Sequence, residues 1–275
     1  GEYGANTYRL VYELSADEGK TWTEPEAMDL SGRGSAYGII KLQNGQLLWV
    51  TTKNVAEVGY YCGACKIFIG TWREDLSGVD WESPATIDAD LDLSRQGVSE
   101  PHACQFTDGR IFIVFRMDGL TPSQDDPGKP ALKSFSISED NGRTWTKPAP
   151  LCYEDGRYVY SSTSFPDTFY SSKNGKPYVI ININKNPCTG CDPRTVLQIA
   201  ELNTDPVAVK RDTIAIIDER LPEHHFHVRL SNWITLEERE SKNMLLFMKL
   251  QMSEHCPVRS GYDFNCYRYE IILPD

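Results

Sequence analysis

The sequence lacks any long apolar run. No segment approaches the ~20 consecutive apolar residues of a membrane-spanning helix, so we expect no membrane span. Positive charge is also scarce, because 28 lysines and arginines stand against 39 aspartates and glutamates, for a net charge of −11. Nucleic-acid binding needs a basic face, so this balance excludes nucleic acid as the partner. It is still compatible with a local basic pocket for a small anion.

Amphipathic helices are missing as well. Aromatic and β-branched residues fill short runs instead, as in Arg110–Arg116, and such runs are typical of strands. The apolar share of 40% is enough for a buried core. This composition favours a soluble protein of the secreted or periplasmic type. The repeats described next run throughout the chain, so we assign residues 1–275 to one domain.

An eight-residue pattern occurs twice, as Ser15–Trp22 and Ser138–Trp145. Both copies have Ser, Asp, Gly, Thr and Trp at the same offsets, and a proline follows each Trp three residues later. A weaker copy ends at Trp81, so the tryptophans are spaced by 59 and 64 residues. Hairpin turns are predicted at a similar spacing, at Asn44-Gly45, Asp108-Gly109, Asn174-Gly175 and Lys242-Asn243. The chain is therefore built of repeated units.

Each unit is predicted to contain about four strands. Two strands, Tyr8–Leu14 and Glu26–Leu30, precede the first full unit, which is Tyr37–Leu42, Gln46–Thr52, Lys66–Trp72 and Ala85–Ala89. The second unit is Pro101–Phe106, Arg110–Arg116, Leu132–Ser138 and Thr146–Leu151, and the third is Ser164–Tyr170, Pro177–Asn184, Thr195–Leu202 and Ala208–Ile217. The last unit has three predicted strands, Val228–Leu236, Met244–Gln251 and Tyr267–Leu273. Repeated four-stranded antiparallel units without helical crossovers predict an all-β fold, a β-propeller of five or six blades. Strands missing upstream of the N-terminus, or a five-bladed ring closed by swapped terminal strands, would each explain the incomplete ends.

The repeated octapeptide matches the Asp-box motif, Ser-x-Asp-x-Gly-x-Thr-Trp. The chain therefore resembles the sialidase-like, Asp-box (BNR repeat) propeller superfamily over nearly its whole length. The resemblance implies that the boxes are peripheral turns. Asp17 and Asp140 would then hydrogen-bond their own backbone, and Trp22 and Trp145 would fill the space between strands.

A propeller brings polar residues from different blades to one end of the ring. The candidate substrate-binding residues there are Arg33, Tyr37, Lys53, Arg116, Arg229 and Asn232, and the candidate catalytic residues are Glu100, His102, Tyr160 and Asp167. Antiparallel pairing across the Asp108-Gly109 turn is expected to bring Glu100 next to Arg116. A structural ion pair is one interpretation. In the other, Arg116 binds a substrate carboxylate and Glu100 orients it or transfers a proton.

Asp167 is the candidate second carboxylate, since glycoside hydrolysis generally requires two. A turn-capping role after a proline is its alternative. The resemblance implies a cluster of three arginines (Arg33, Arg116 and Arg229), Tyr160 or Tyr37 as nucleophile, Glu100 as its base and Asp167 as acid. It thus implies a sialidase-like glycosidase that releases sialic acid from glycans. The Arg-Ile-Pro segment that opens most sialidases is missing, so these assignments follow from blade geometry.

Two other functions use the same end of the ring. A polysaccharide lyase acting on uronate-containing glycans would use His102, His225 or His227 with Tyr160 to abstract a proton. A carbohydrate-binding propeller without activity would need the aromatic residues and arginines but no matched carboxylates. All three interpretations predict a carbohydrate partner and no required cofactor.

The eight cysteines include two C-x-x-C pairs, Cys62 with Cys65 and Cys188 with Cys191. Four thiolates would suit a structural zinc ion. Disulfides or buried thiols are the alternative. Redox catalysis of the thioredoxin type is not expected, because no strand–helix–strand pattern accompanies either pair.

Overall fold

The computed structural model describes residues 9–31, 37–54, 63–88, 92–94, 97–119, 128–252 and 265–275. These residues form a hairpin followed by four antiparallel blades. The hairpin pairs β1 (Arg9–Tyr12) with β2 (Glu26–Ser31). Blade 1 contains β3 (Tyr37–Lys41), β4 (Leu47–Asn54), β5 (Gly63–Trp72) and β6 (Val79–Ile87). Blade 2 contains β7 (Val98–Gln105), β8 (Ile111–Met117), β9 (Lys133–Ser138) and β10 (Ala149–Pro150).

The last two blades are less regular. Blade 3 contains β11 (Asp167–Tyr170), β12 (Pro177–Ile181), β13 (Val196–Thr204), β14 (Val207–Val209) and β15 (Ala215–Glu219), and β13 pairs with β12, β14 and β15. Blade 4 contains β16 (Val228–Arg229), β17 (Trp233–Glu237), β18 (Met244–Lys249), β19 (Gln251–Met252) and β20 (Cys266–Ile271). In blade 4, β18 lies between β17 and β20, while β16 pairs with β19.

Apolar residues on both faces of the inner strands explain how the blades stack. Successive side chains of a strand point to opposite faces of its sheet. On β8, Ile111, Ile113 and Phe115 pack with Leu48 and Ile67 of blade 1. The intervening Phe112 and Val114 pack with the next blade instead. A continuous apolar run is therefore required here, because both faces of the strand are buried.

Blades 3 and 4 pack in the same way. Val179 and Ile181 of β12 join the cluster shared with blade 2. Tyr178 and Ile180 point the other way, into a cluster with Leu246 of blade 4. Each fully buried side chain of this size contributes about 1.5–3 kcal/mol relative to exposure. A β-propeller consists of sheets, typically four-stranded, that pack face to face in chain order. The four blades are arranged in this way, as the repeats predicted.

The hairpin turns match the predicted positions but not the predicted turn type. Gly45, Gly109 and Gly175 have φ values of +86°, +90° and +70°, so glycine is needed there. Their Asn and Asp neighbours are not among the residues with positive φ. The turns around Gly45 and Gly109 are closed by bonds such as Phe106 N to Arg110 O. They are three-residue loops with a left-handed third residue, in place of the two-residue type I′ turns that the sequence suggested.

Both Asp boxes are compact turns, as expected. Asp140 Oδ1 accepts hydrogen bonds from the Ser138 hydroxyl and from the Arg143 and Thr144 amides, and Oδ2 accepts one from the Thr144 hydroxyl at 2.6 Å. Asp17 makes the same set of bonds. The two tryptophans differ. Trp145 packs against the cluster between blades 1 and 2, whereas Trp22 is 60% exposed, so the expectation of a space-filling Trp fails for the first box.

Replacement of Asp140 by alanine is expected to destabilise the protein by about 1–3 kcal/mol, because the turn loses the acceptor of four hydrogen bonds. Partial burial alone would raise the pKa of Asp140, but the hydrogen bonds from Thr144, Ser138 and Arg143 outweigh it and hold the pKa below its ordinary value. The carboxylate therefore stabilises the fold above its unfolded pKa of about 3.9, and the effect is lost as the pH falls through the lower folded pKa. Urea denaturation at pH 7 and pH 3 would measure it.

The matched control is Asp17→Ala, whose box lies beside the exposed Trp22. We expect a smaller loss of stability for this variant, because its turn packs less against a neighbouring blade. An equal loss for both variants, or a difference from the parent protein that stays constant down to pH 3, would contradict the explanation.

Several strand bounds differ from the predicted ones. The fourth strand of blade 2 is only Ala149–Pro150, since Pro148 and Pro150 carry no amide for a ladder. The predicted strand Ala208–Ile217 is interrupted by a 3-10 turn at Arg211–Thr213. In the last blade, Val228–Leu236 divides into β16 and β17, with Asn232 at a φ of +59° between them. The fourth strand of blade 1 starts earlier than predicted, at Val79.

The 3-10 turn Arg211–Thr213 is the one helical segment in the part of the chain that the structure describes. In that same part, no helix has the length and apolar character needed to cross a bilayer. The hairpin packs on blade 1 through Tyr12, Met28 and Trp81. Glu18 of the hairpin also pairs with Arg239, in the β17–β18 turn of blade 4, at 2.9 Å. Four blades are described, and the number of five or six stays a prediction.

Candidate active site

Glu100 and Arg116 meet where β7 and β8 pair. Arg116 Nη1 donates to Glu100 Oε1 at 2.8 Å, as the hairpin register predicted. Ser99 lies opposite Arg116, and the ladder then shifts between Ser99 and His102. This bulge turns the Glu100 side chain toward the end of the neighbouring strand. The two side chains are about one quarter exposed, 22% for Arg116 and 23% for Glu100.

The backbone of Glu100 is strained. Its φ is +46°, in the left-handed region that non-glycine residues rarely adopt. A bond from its amide to Thr52 Oγ1 of β4, at 2.8 Å, stabilises this conformation from blade 1. Glu100 Oε2 is buried and accepts no hydrogen bond from the described residues. Strain of this kind concentrates at functional sites, where the surrounding structure maintains it.

The loop between β12 and β13 connects this pair to Arg229. Arg116 Nη2 lies 3.9 Å from Cys191 Sγ. The next residue, Asp192, forms a bidentate ion pair with Arg229, with Nε to Oδ1 at 2.7 Å and Nη2 to Oδ2. Glu100, Arg116 and Arg229 therefore lie at the same end of the ring, as predicted. Arg33, the third predicted arginine, lies outside the described residues.

Two further cations, Lys133 and Arg194, lie in the same cluster and were not predicted. Lys133 is fully buried, and its amine donates to Ser162 O at 2.6 Å and to Ser164 Oγ at 3.3 Å. Arg194 donates from Nε to Cys191 O and from Nη1 to Ser231 Oγ, at 2.8 and 2.9 Å. Its Nη2 donates to Thr163 O. Arg194 thereby connects blade 3 with blade 4.

Four consecutive hydroxyl residues form the floor of this cluster: Ser161, Ser162, Thr163 and Ser164. All four are at most 1% exposed. Thr163 Oγ1 donates to Asp118 Oδ1 at 2.7 Å, and Gly190 N donates to the same oxygen at 3.2 Å. The hydroxyls of Ser161 and Ser162 are buried without a hydrogen bond to the described residues. The floor is thus polar and rigid, since segments from blades 2 and 3 meet at Asp118.

The electrostatics of the cluster are dominated by cations. Burial lowers the pKa of Lys133 well below its ordinary value, Arg116 and Arg194 lower it further, and Glu100 opposes them. Burial also lowers the pKa of Arg194, with Arg116 and Arg229 as additional causes. Four basic side chains thus lie close enough to influence one another, in a chain of net charge −11. Arg116 pairs with Glu100 and Arg229 with Asp192, and a small anion would join these pairs.

His102 and Asp167 are both predicted catalytic residues, and they contact each other. His102 Nδ1 lies 2.7 Å from Asp167 Oδ1, and the Thr235 hydroxyl donates to Oδ2 at 2.6 Å. These residues lie on the first strands of blades 2, 3 and 4. The Asp167 side chain is 6% exposed, and both its oxygens are bound. This geometry favours a contact that joins three blades, and the acid role of Asp167 stays a prediction.

The remaining predicted residues lie around the cluster. Tyr160 forms an isolated bridge with Leu132, and its carbonyl accepts from Asn184 N at 2.8 Å. Its hydroxyl makes no hydrogen bond to the residues that the structure describes. Tyr37 is at the start of β3 opposite Val50. The other two, Lys53 on β4 and Asn232, are exposed, and Asn232 Nδ2 donates to Gln251 Oε1. Their roles in substrate binding stay predictions.

The histidine segment before Arg229 is at the surface. The ring centroids of His225 and His227 are 5.5 Å apart, and the rings are nearly parallel. Phe226, the residue between them in the sequence, has 68% of its surface exposed. The backbone amide of His227 donates to His225 Nδ1 at 3.2 Å. These rings are accessible to a large ligand near Arg229.

The predicted zinc ligands do not gather into one site within the described residues. Cys65 belongs to the apolar cluster between blades 1 and 2, and its burial raises the pKa of the thiol. Cys188 and Cys191 instead lie beside Asn184 and Arg116. Groups of three or more possible metal ligands do not occur in the described part of the chain. Cys62 lies outside it, so a zinc ion stays a prediction.

A groove of about 730 Å³ lies elsewhere, at the rim between blades 1 and 2. Trp145, Lys147, Asp88 and Asp92 line it. None of the charged residues of the cluster described above lines it. We place the candidate active site at the cation cluster, because chemistry depends on the convergent charged groups and not on the size of a hollow.

Sequence reasoning had one available signal for Lys133 and none for Arg194. Lys133 lies two and four residues before Phe135 and Ile137 on the same strand, and those two side chains face blade 3. Because side chains alternate along a strand, the Lys133 side chain is expected to face that blade too. Arg194 precedes β13 in an irregular loop. Only the packing of blade 4 against that loop brings it to Ser231.

Taken together, the stacked blades and the repeated turns define a β-propeller, and its fold is similar to that of two sialidases. The structure resembles the NanB sialidase of Streptococcus pneumoniae (K499G mutant), with a TM-score of 0.59 and 15% identity over 89% of this chain and 33% of that one. It also resembles the intramolecular trans-sialidase of Ruminococcus gnavus, with a TM-score of 0.54 and 16% identity over 87% of this chain and 45% of that one. The chain thus spans between a third and a half of these proteins. No protein-family model and no curated protein matches the sequence.

Proposed function

We propose that the protein is a glycoside hydrolase that acts on an anionic sugar, with sialylated glycans as its substrate class. The observation that carries the proposal is the cluster of Glu100, Arg116, Lys133, Arg194 and Arg229 at one end of the ring. A carboxylated sugar would bind beside the existing ion pairs of Arg116 with Glu100 and of Arg229 with Asp192. Similarity of fold to two sialidases is in accord with this choice, although fold by itself does not define function.

Arg116 and Glu100 have distinct roles in this proposal. Arg116 presents a guanidinium that suits the two oxygens of a sugar carboxylate. Glu100 positions Arg116 through Oε1, while its Oε2 oxygen accepts no hydrogen bond from the described residues and can take a proton. Tyr160, whose hydroxyl has no hydrogen-bond partner among the described residues, is the proposed nucleophile, with Glu100 as its base. A neutral phenol attacks an anionic anomeric centre without charge repulsion.

A fluorogenic sialoside tests the proposal directly. We expect the protein to release the fluorophore, and Glu100→Gln to reduce kcat by about 10²–10⁴-fold, the usual contribution of a general base. The matched control is Glu82→Gln, because Glu82 is half exposed and pairs with Arg143 at 2.8 Å on the rim. No release by the parent protein would contradict the sialidase assignment. Equal losses in both variants would contradict the role of Glu100.

The exposed histidines favour one second candidate, a lyase acting on uronate-containing polysaccharide. His225 and His227 lie close to Arg229 in sequence, and His225 is exposed. A histidine there could abstract the proton next to a uronate carboxylate that an arginine neutralises. Growth of absorbance from unsaturated uronate products would support this candidate. Binding of anionic glycans without turnover, unaffected by Glu100→Gln, would support a carbohydrate-binding propeller.

The finer structural predictions belong to the same proposal. A ring of five or six blades would complete the surroundings of the cluster. Tyr37 of blade 1 and Arg33, which precedes that blade in the sequence, would contribute to it. A secreted or periplasmic location would give access to glycans. No cofactor is needed for the proposed hydrolysis, and a zinc ion would be structural.

A further inference from the structure

We infer that Cys188 and Cys191 form a reversible disulfide by exchange with small-molecule disulfides such as oxidised glutathione, and that this modification controls anion binding at the cation cluster. The first half stands independently, and the second half rests on the proposed function. Both cysteines are free thiols and are partly exposed. Two residues separate them, and Gly190 between them has a φ of +71°.

The two sulfurs contact the candidate active site itself. Arg116 Nη2 lies 3.9 Å from Cys191 Sγ, and Asn184 Nδ2 donates to Cys188 Sγ at 3.3 Å. The carbonyl of Cys191 accepts from Arg194 Nε at 2.8 Å. Reactive cysteines are typically partly exposed and surrounded by positive charge, and the C-x-x-C spacing is common among them. Cys191 meets all three conditions, whereas partial burial raises the pKa of the Cys188 thiol.

Two other cysteines provide an internal contrast. Cys65 and Cys104 lie inside apolar clusters and are at most 3% exposed. Burial raises the pKa of the Cys104 thiol to about 12. Such thiols are inert, because the thiolate is the reacting form and an oxidant cannot reach the sulfur. The difference in surroundings thus directs oxidation toward the loop between β12 and β13.

The reaction balances as a two-step exchange. The Cys191 thiolate attacks one sulfur of oxidised glutathione, the S–S bond of glutathione breaks, and one glutathione thiolate leaves. The Cys188 thiolate then attacks the Cys191 sulfur of this mixed disulfide and releases the second glutathione. The protein loses two hydrogens and two electrons, which the two glutathione molecules gain. Reduced glutathione at high concentration reverses both steps.

The loop transmits its state to the cluster through its backbone. Gly190 N donates to Asp118 Oδ1 at 3.2 Å, and Gly190 O accepts from Thr163 N at 2.8 Å. Closing a disulfide across this turn moves Cys191, and with it the sulfur beside Arg116 and the carbonyl that positions Arg194. Both arginines then lose part of their present positioning. We therefore expect weaker anion binding in the oxidised protein.

The first arm of the test maps the thiols by peptide mass spectrometry, after incubation with dithiothreitol or with oxidised glutathione. We expect an intramolecular Cys188–Cys191 disulfide in the oxidised sample and free thiols in the reduced one, with Cys65 and Cys104 reduced in both. Thiols that stay reduced, or a disulfide from Cys191 to another cysteine, would overturn the inference. Release of zinc on thiol modification would overturn it as well.

The second arm measures binding of free sialic acid by calorimetry to both forms. We expect at least about fivefold weaker binding after oxidation, the lower end of usual coupling between two sites. The double variant Cys188→Ser, Cys191→Ser should remove this dependence, whereas Cys266→Ser, at an exposed cysteine of blade 4, should keep it. Equal affinity of both forms would refute the coupling. If neither the reduced nor the oxidised protein binds sialic acid, both the coupling and the proposed function are refuted. The first arm alone decides whether the disulfide forms.

Discussion

Replacing Arg116 by alanine is expected to reduce kcat/KM on carboxylated sugars by about 10²–10³-fold, since truncating a buried hydrogen-bonded charge costs about 2–5 kcal/mol. Arg116 is the cation that contacts both Glu100 and Cys191, in the loop between β12 and β13. Its removal takes away a bidentate donor for the sugar carboxylate. It also leaves Glu100 Oε1 without its ion pair. Steady-state kinetics with a fluorogenic sialoside would measure the loss.

Two further variants make this result specific. Arg116→Lys keeps the charge but not the planar fork of donors, so we expect most of the loss to remain. Arg110→Ala is the matched control, because Arg110 is at the opposite end of β8, paired with Asp108 at 2.6 Å. We expect this control to keep its activity. Full activity of Arg116→Ala would eliminate the proposed site.

Asp167→Ala is expected to produce the largest loss of stability, about 3–5 kcal/mol, because two hydrogen bonds to a buried carboxylate are lost. Asp167 accepts from Thr235 Oγ1 and contacts His102 Nδ1, so one carboxylate connects the first strands of three blades. Urea denaturation would measure the change in the free energy of unfolding. The control is Asp108→Ala on an exposed turn, whose ion pair contributes only about 0–1 kcal/mol.

Asp167→Asn separates the two roles of this residue. Asparagine keeps the shape and can still accept one of the hydrogen bonds, but it cannot transfer a proton as a carboxyl group does. A structural role predicts that stability and activity fall together and that Asn restores part of both. A stable Asn variant with kcat lowered by orders of magnitude would show that Asp167 is the acid.

Local patterns were sufficient for the order of the strands, the positions of the hairpin turns and the turn structure of the Asp boxes. The run around Phe112 predicts a strand because both faces are apolar, and Gly109 marks the turn because its φ is positive. Counting residues from that turn also predicts the contact of Glu100 with Arg116. Counting alone does not reveal the bulge between Ser99 and His102, which depends on the bond from Glu100 to Thr52 of another blade.

Residues without a local signal were missed or placed only roughly. Arg194 has no periodic neighbour, and its partners Thr163 and Ser231 come from other segments. The sequence suggests Asp167 as a second carboxylate at the ring end. Only the packing of blades 2 and 4 on blade 3 shows that both its oxygens are bound.

The sequence by itself determined the repeat, the antiparallel pairing within each blade and the Glu100–Arg116 pair. These depend on hydrogen-bond register and side-chain alternation, which act over a few residues. The tertiary structure alone decided the cation cluster, the burial of Lys133 and the His102–Asp167 contact. Those depend on how blades stack around the axis, and such contacts between distant segments leave no period in the chain.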